Sequence, residues 1–163
     1  MICADIVGER SRLSPDRTAI VDVVSSQRLT YREMDHRAAT CARAWLYSLG
    51  LRRGDRLGIL SGNRLEFLDA FFAAAKSGVI LVPLGTRLTA PELAVIAADC
   101  ELSALVYGGE HAATVRELRS LVDLGRVVAL DDSDDPGDLS ALALPGSVGV
   151  ASLLPGVWHQ AQP

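Results

Sequence analysis

The side chains best suited to chemistry in this sequence are few and scattered. The densest group is Asp131, Asp132, Asp134, Asp135 and Asp138, gathered around Pro136 and Gly137. Clustered carboxylates can hold a divalent cation, and a calcium loop sets oxygen ligands at alternate positions, with glycine sixth and a bidentate glutamate twelfth. Counted from Asp131, those places hold Pro136 and Leu142. The pattern fails, and the run reads as a solvated acidic turn. His36, His111 and His159 lie far apart in sequence, without the close spacing of a zinc site. No G-x-S-x-G elbow is present, and Cys41 and Cys100 fall on apolar helix faces, where a thiol serves as a small hydrophobe. The residues offer no catalytic set and no metal set.

The edge of a ligand site is easier to place. Gly58-Ile59-Leu60-Ser61-Gly62-Asn63 lies between an apolar run and an amphipathic segment, where a dinucleotide-binding turn would sit. Its G-x-x-x-G spacing lacks the close backbone approach that G-x-G-x-x-G gives a pyrophosphate, and no G-x-x-x-x-G-K-[ST] occurs. Ligands in open α/β sheets still bind beyond the carboxyl ends of the strands. That puts Ser61, Gly62, Asn63, Gly85 and Thr86 at the edge of any site. Asn63 has a simpler alternative role as a helix cap, with Glu66 three residues on.

The elements that hold these loops follow from hydrophobic period. Leu57 to Leu60 and Val79 to Val82 are nearly continuous in Val, Ile and Leu, and they flank an amphipathic segment ending at Gly78. Runs of that kind are strands covered on both faces, joined by a right-handed crossover in a parallel sheet. Upstream, residues 1–17 read as an irregular lead, Thr18 to Val24 as a strand, and Arg28 to Thr30 as a segment that pairs back or leads on. Thr30 with Glu33 forms a capping box and Leu29 with Met34 a hydrophobic staple. The helix they open runs through Ala38, Cys41, Trp45 and Leu49 to Gly50,.

The same grammar repeats downstream. The central helix is expected to bury Phe67, Leu68, Phe71, Phe72 and Ala75. Thr89 and Glu92 cap the next, which turns Leu93, Ile96, Ala97 and Cys100 inward. A strand at Ala104 to Tyr107, a helix from about His111 to Val122 stopped by Gly125, and a strand at Arg126 to Leu130 follow,. The expectation is an α/β domain over residues 18–130, βαβ units building a mainly parallel sheet flanked by helices. Residues 131–163 read as an acidic loop and a weakly structured tail.

Composition narrows the class. A chain of 163 residues is one domain,. At 49% hydrophobic residues and a mean hydropathy of +0.24 it is apolar for a free-standing domain, which suggests a face meant for a protein partner. A net charge of -4 argues against a nucleic-acid surface,. No apolar run approaches the roughly eighteen residues of a membrane span. Three cysteines without C-x-x-C spacing, and no secretory leader pattern, fit a reducing cytoplasm,.

Three stretches resemble a known family. LTYREM at 29–34, GDRLGILSGNRLEFLDAFFAAAKSGVILVPL at 54–84 and TRLTAPELAVIAADCELSALVY at 86–107 are similar, in order and spacing, to the N-terminal region of the adenylate-forming enzymes. That family comprises acyl-CoA synthetases, aryl-CoA ligases and adenylation domains of peptide synthetases. LTYREM resembles its first core motif and AAKSGVILVPL its second, and the likeness covers about residues 15–130. It implies an N-terminal subdomain of the acyl-CoA synthetase-like fold. It also implies a two-step reaction, in which a carboxylate attacks the α-phosphate of ATP with magnesium, giving an acyl adenylate that a thiol such as coenzyme A then accepts.

The phosphate loop, the adenine and magnesium motif, the ribose aspartate and the catalytic lysine lie downstream in that family, and no residue here matches them. ATP, Mg2+ and coenzyme A are therefore implied for the full-length family, with none expected for this chain alone. Gly85 departs from the asparagine that many acyl-CoA synthetases carry after Val-Pro-Leu. The expectation is an N-terminal fragment of an ATP-dependent acid–thiol ligase acting on a carboxylic acid, inactive by itself. The alternative is a non-catalytic interaction module that pairs with a separately encoded remainder or an intact synthetase.

Overall fold

The computed structural model describes residues 5–130; the aspartate run and the tail read above lie outside the described residues. The chain enters with a helix where the sequence suggested an irregular lead. Helix α1 (Ile6–Leu13) forms because the Asp5 carboxylate accepts from the Gly8 amide at 3.0 Å, capping an otherwise marginal two-turn segment. Val7 then buries against Leu29, Met34 and Ala38. One inward residue in eight leaves too thin a stripe to read as helix.

Strands β1 (Thr18–Val21) and β2 (Arg28–Thr30) pair antiparallel as a separate two-stranded sheet. β1 stops short of the expected Val24 because Asp22 turns the chain, accepting from the Val24 amide at 3.0 Å and the Ser25 hydroxyl at 2.6 Å,. Helix α2 (Tyr31–Tyr47) opens on the expected capping box: Thr30 Oγ1 accepts from the Glu33 amide at 3.3 Å, and the Glu33 carboxylate accepts from the Thr30 amide at 2.7 Å,. Past its end Gly50 is left-handed, with φ +64, and the Leu51 amide reaches back to the Trp45 carbonyl at 3.0 Å, closing the helix as such a glycine does.

The remaining elements alternate. They are β3 (Arg56–Leu60), α3 (Leu65–Ser77), β4 (Ile80–Pro83), α4 (Ala90–Asp99), β5 (Ala104–Tyr107), α5 (Ala112–Leu121) and β6 (Arg126–Ala129), with a 3-10 turn at Gly109–His111 ahead of α5. All four of these strands are parallel, in the order β4-β3-β5-β6. Since β4 lies on one side of β3 and β5 on the other, right-handed crossovers put α3 on one face and α4 and α5 on the opposite one. The cores agree. Leu57, Ile59, Ala104 and Val106 pack with α2 and α3, while Leu60, Leu105 and Tyr107 pack with α4 and α5. Two covered faces explain the unbroken apolar runs of β3 and β5. No helix among the described residues is long and apolar enough to cross a membrane.

Three expectations need correction. The fully buried residues of α3 are Asp69, Ala70 and Ala73; of the expected stripe, Phe67 and Phe72 are half-buried against the cores, while Phe71 is 54% exposed and meets Phe72 edge-on at 5.4 Å. The cause is a buried ion pair between α2 and α3. Arg37 grips Asp69 through Nε at 3.0 Å and a terminal nitrogen at 2.6 Å, and small residues around it let the helices close. Next, Asn63 is not the cap of α3. The cap position falls on Arg64, which is extended and makes no side-chain cap bond; its Nε donates to Glu66 at 2.8 Å. Finally, α5 keeps the expected bounds to within a residue at each end, but Gly125 does not stop it, since Val122 is its cap. Gly125 has φ +62, and a Cβ there would stand 2.2 Å from the Ser103 carbonyl oxygen, so it serves the tight approach of the loop to β5.

Candidate functional site at the carboxyl ends of the strands

All four strands end on the same side of the sheet, so the loops that follow them share one edge. Ser61-Gly62-Asn63 follow β3, Gly85-Thr86 follow β4 next to it, and Gly108-Gly109-Glu110 follow β5 on its other flank. Chain connections leave β3 and β5 toward opposite faces, which makes the gap between them the topological switch point of the sheet. The sequence reasoning reached the β3 and β4 loops and missed the β5 loop. Its readable signal was Gly108-Gly109 directly after an apolar strand, the counterpart of Ser61-Gly62 after β3.

Ser61 is buried and donates its hydroxyl to the Gly62 carbonyl at 3.1 Å; Gly62, Asn63, Gly85 and Thr86 are exposed. Gly62 has no atom within 4 Å of where a Cβ would lie. Gly58 is different. It sits inside β3, and an added Cβ would meet Leu102 at 2.8 Å and Leu105 at 3.0 Å, so the first glycine of G-x-x-x-G makes room for core leucines and holds no phosphate.

Across the switch point Arg64 faces Glu110 at 4.0 Å, while Glu110 approaches His111 Nε2 at 3.5 Å. On the opposite flank an open groove of about 260 Å³ runs between β1 and the start of α3, with Ile20, Val21, Phe67 and Leu68 as apolar wall and Asp22, Asn63 and Arg64 as polar groups. Asn63 and Arg64 thus link the groove to the strand ends. The Asp22 carboxyl lies below its usual range because the Ser25 hydroxyl and the Val24 amide donate to it.

Other titratable groups are committed to the fold. Burial pushes the Asp69 carboxyl up despite the opposing Arg37 guanidinium. Burial, with Asp69 beside it, pushes the Cys41 thiol far up as well, which suits a packing role. Lys76, the single lysine of the sequence, is held by Asp5 at 2.6 Å and by Asp35, tying α1 and α2 to α3. Among the described residues no three His, Cys, Asp or Glu side chains gather to hold a metal ion. A magnesium–nucleotide needs carboxylates for the metal and free cations for phosphates. Among the described residues the carboxylate group for such a metal is not gathered.

Comparison with known proteins gives the family. The family model described as AMP-binding enzyme matches residues 8–150. The chain belongs to the AMP-binding enzyme family. Relatives include a long-chain-fatty-acid–CoA ligase, FadD13, of Mycobacterium tuberculosis, 36% identical over 115 residues, 71% of this chain and 23% of that protein. A feruloyl-CoA synthase of Amycolatopsis is 38% identical over 134 residues, 80% of this chain and 26% of that one. The fold is similar to the crystallised N-terminal domain of FACL13 from Mycobacterium tuberculosis, with a TM-score of 0.73 at 33% identity, covering 78% of this chain and 33% of that structure. The chain spans about a quarter of the length of the curated AMP-binding relatives it matches, and the part it spans is N-terminal acyl-CoA synthetase fold.

Proposed function

We propose that residues 18–130, braced by α1, are the N-terminal scaffold of an ATP-dependent acid–thiol ligase. In that reading the whole enzyme activates a carboxylic acid as an acyl adenylate and passes the acyl group to a thiol, with coenzyme A as acceptor. Ser61, Gly62, Asn63, Gly85 and Thr86 edge its site, and ATP, magnesium and the acyl carbon are handled by residues outside this unit. The observation that carries the reading is family membership together with a fold similar to the N-terminal domain of an acyl-CoA synthetase. Free Cys41 and Cys100 fit a reducing compartment such as the cytoplasm,.

A chimera tests this. Residues 5–130 replace the matching segment of the feruloyl-CoA synthase, and ATP–pyrophosphate exchange with ferulate is measured. A folded chimera that keeps exchange supports the scaffold role; a folded chimera without exchange overturns it.

A second reading, an interaction module that pairs with a separate remainder or an intact synthetase, is favoured by one feature. Val21, Val23 and Val24 at the β1–β2 turn and Phe71 on α3 are all exposed, Val24 by 97%, and apolar surface of that kind is commonly covered by protein.

A further inference from the structure

Gly108 is a glycine whose backbone does not ask for one. Its φ of -73 and ψ of 142 suit any residue, and a Cβ there would stand 2.3 and 2.6 Å from the two carboxylate oxygens of Glu110. The missing side chain therefore makes room for a carboxylate against the main chain. Two nitrogen groups from different loops flank that carboxylate. His111 Nε2, on a side chain 16% exposed, stands 3.5 Å from one oxygen, and Arg64, carried by the loop after β3, reaches the other at 4.0 Å. Both contacts are longer than a charge-assisted hydrogen bond, and the Glu110 side chain is half-exposed, so it fills the place loosely. The cradle lies at the switch point itself, since Leu60 pairs with Tyr107 and the Gly108 amide donates to the Leu60 carbonyl at 3.0 Å,. Beside it Gly62 faces open space without a left-handed φ.

We propose that this cradle is a subsite for a diffusible oxyanion, a carboxylate or a phosphoryl group, and that Glu110 is its internal stand-in, which swings to solvent when the ligand enters. The exchange is balanced in charge. Arg64 keeps Glu66 on its Nε at 2.8 Å and trades one anion for another, while His111 Nε2 donates to the newcomer. An oxyanion that is not tied to the chain can draw both contacts in to hydrogen-bond length, which the anchored Glu110 carboxylate leaves long. A cation does not suit the place, because a guanidinium has no acceptor to offer it.

The test is heteronuclear NMR of the 163-residue chain titrated with inorganic phosphate and, separately, with acetate, each against sodium chloride at matched ionic strength. The expected result is a saturable shift of the Arg64 Nε and His111 ring signals and of the Gly62 and Gly108 amides with at least one oxyanion and not with chloride. Phosphate alone assigns a phosphoryl group, acetate a carboxylate. Glu110→Gln removes the competing charge and should lower the apparent Kd about tenfold, whereas Gly108→Ala fills the cradle and should raise it by about as much. If Gly108→Ala loses its fold, Arg64→Gln, which removes the charged donor, supplies the same readout. Shifts that chloride reproduces, no saturable shift in the folded Glu110→Gln variant, or the same Kd with and without Glu110 would overturn the proposal. So would a tenfold gain in affinity on changing the five aspartates between Asp131 and Asp138 to asparagine, which would give the place to the chain's own carboxylates. None of these outcomes bears on the ligase reading, which the chimera tests.

Discussion

Truncating Asp69 to alanine should be among the most damaging single changes in the chain. Its carboxylate is bound two-pronged by Arg37 at 2.6 and 3.0 Å, and both side chains are under a tenth exposed. Removing one partner leaves the other charge buried and uncompensated, which costs about 3–5 kcal/mol, a large share of the ~5–15 kcal/mol that holds a domain together. With a urea slope of about 2 kcal/mol/M, the midpoint should fall by about 1.5–2.5 M. Arg37→Met should cost a similar amount for the same reason. The double variant Arg37→Met/Asp69→Leu removes both charges and fills the space, so it should recover most of the loss, giving a coupling energy above about 2 kcal/mol. Urea unfolding followed by tryptophan fluorescence is the assay, because Trp45 sits in the same core. Singles costing under ~1 kcal/mol, or a double equal to the sum of the singles, would refute the claim that this pair sets the α2–α3 geometry.

Gly125→Ala forces a left-handed alanine and a Cβ 2.2 Å from the Ser103 oxygen, so it should cost at least about 2 kcal/mol and lower the melting temperature, read by calorimetry. Thr30→Ala removes the first capping box and should cost about 1 kcal/mol, with amide exchange rising over the first turn of α2. At Asp5, burial raises the carboxyl but the Lys76 ammonium and the Gly8 amide outweigh it, holding the group below its ordinary 3.8; a depressed folded value means stability present above pH 3.8 and lost as pH falls through it. Asp5→Asn should therefore flatten the loss of urea midpoint below pH 3.8. Burial lowers Lys76, yet Asp35 and Asp5 win and raise it above 10.5, so its contribution is full below pH 10.5 and fades as pH climbs through the raised value; Lys76→Met should flatten that alkaline limb. Cys41, buried with its thiol pushed far up, should resist maleimide at pH 8 until urea unfolds the chain, while the half-buried Cys100 labels before Cys41, as peptide mass mapping would show.

The sheet was legible because both of its faces are covered, so β3 from Leu57 and β5 spell themselves as runs without a polar residue. Helix starts were legible where the signal is local: Thr30 with Glu33 and Thr89 with Glu92 each close a bond three residues apart. What escaped the sequence was set by distant contacts. The rotation of α3 depends on Arg37, thirty-two positions from Asp69, and hydrophobic period could not show that Asp69 is buried while Phe71 stays exposed. α1 rests on one buried valine and an aspartate cap. At the site edge, Ser61 to Asn63 were reachable from strand ends alone, whereas Arg64 and Glu110 meet only because β5 crosses to the far side of β3. The family likeness lay in motifs whose residues are structural here, capping and core positions in place of reacting groups.

The most direct measurement is ATP–pyrophosphate exchange by the purified 163-residue chain, with magnesium and a panel of aliphatic and aromatic carboxylates. The account predicts exchange at background for every acid, together with a folded, cooperative urea transition. Exchange above background, dependent on the carboxylate and removed by unfolding, would contradict it.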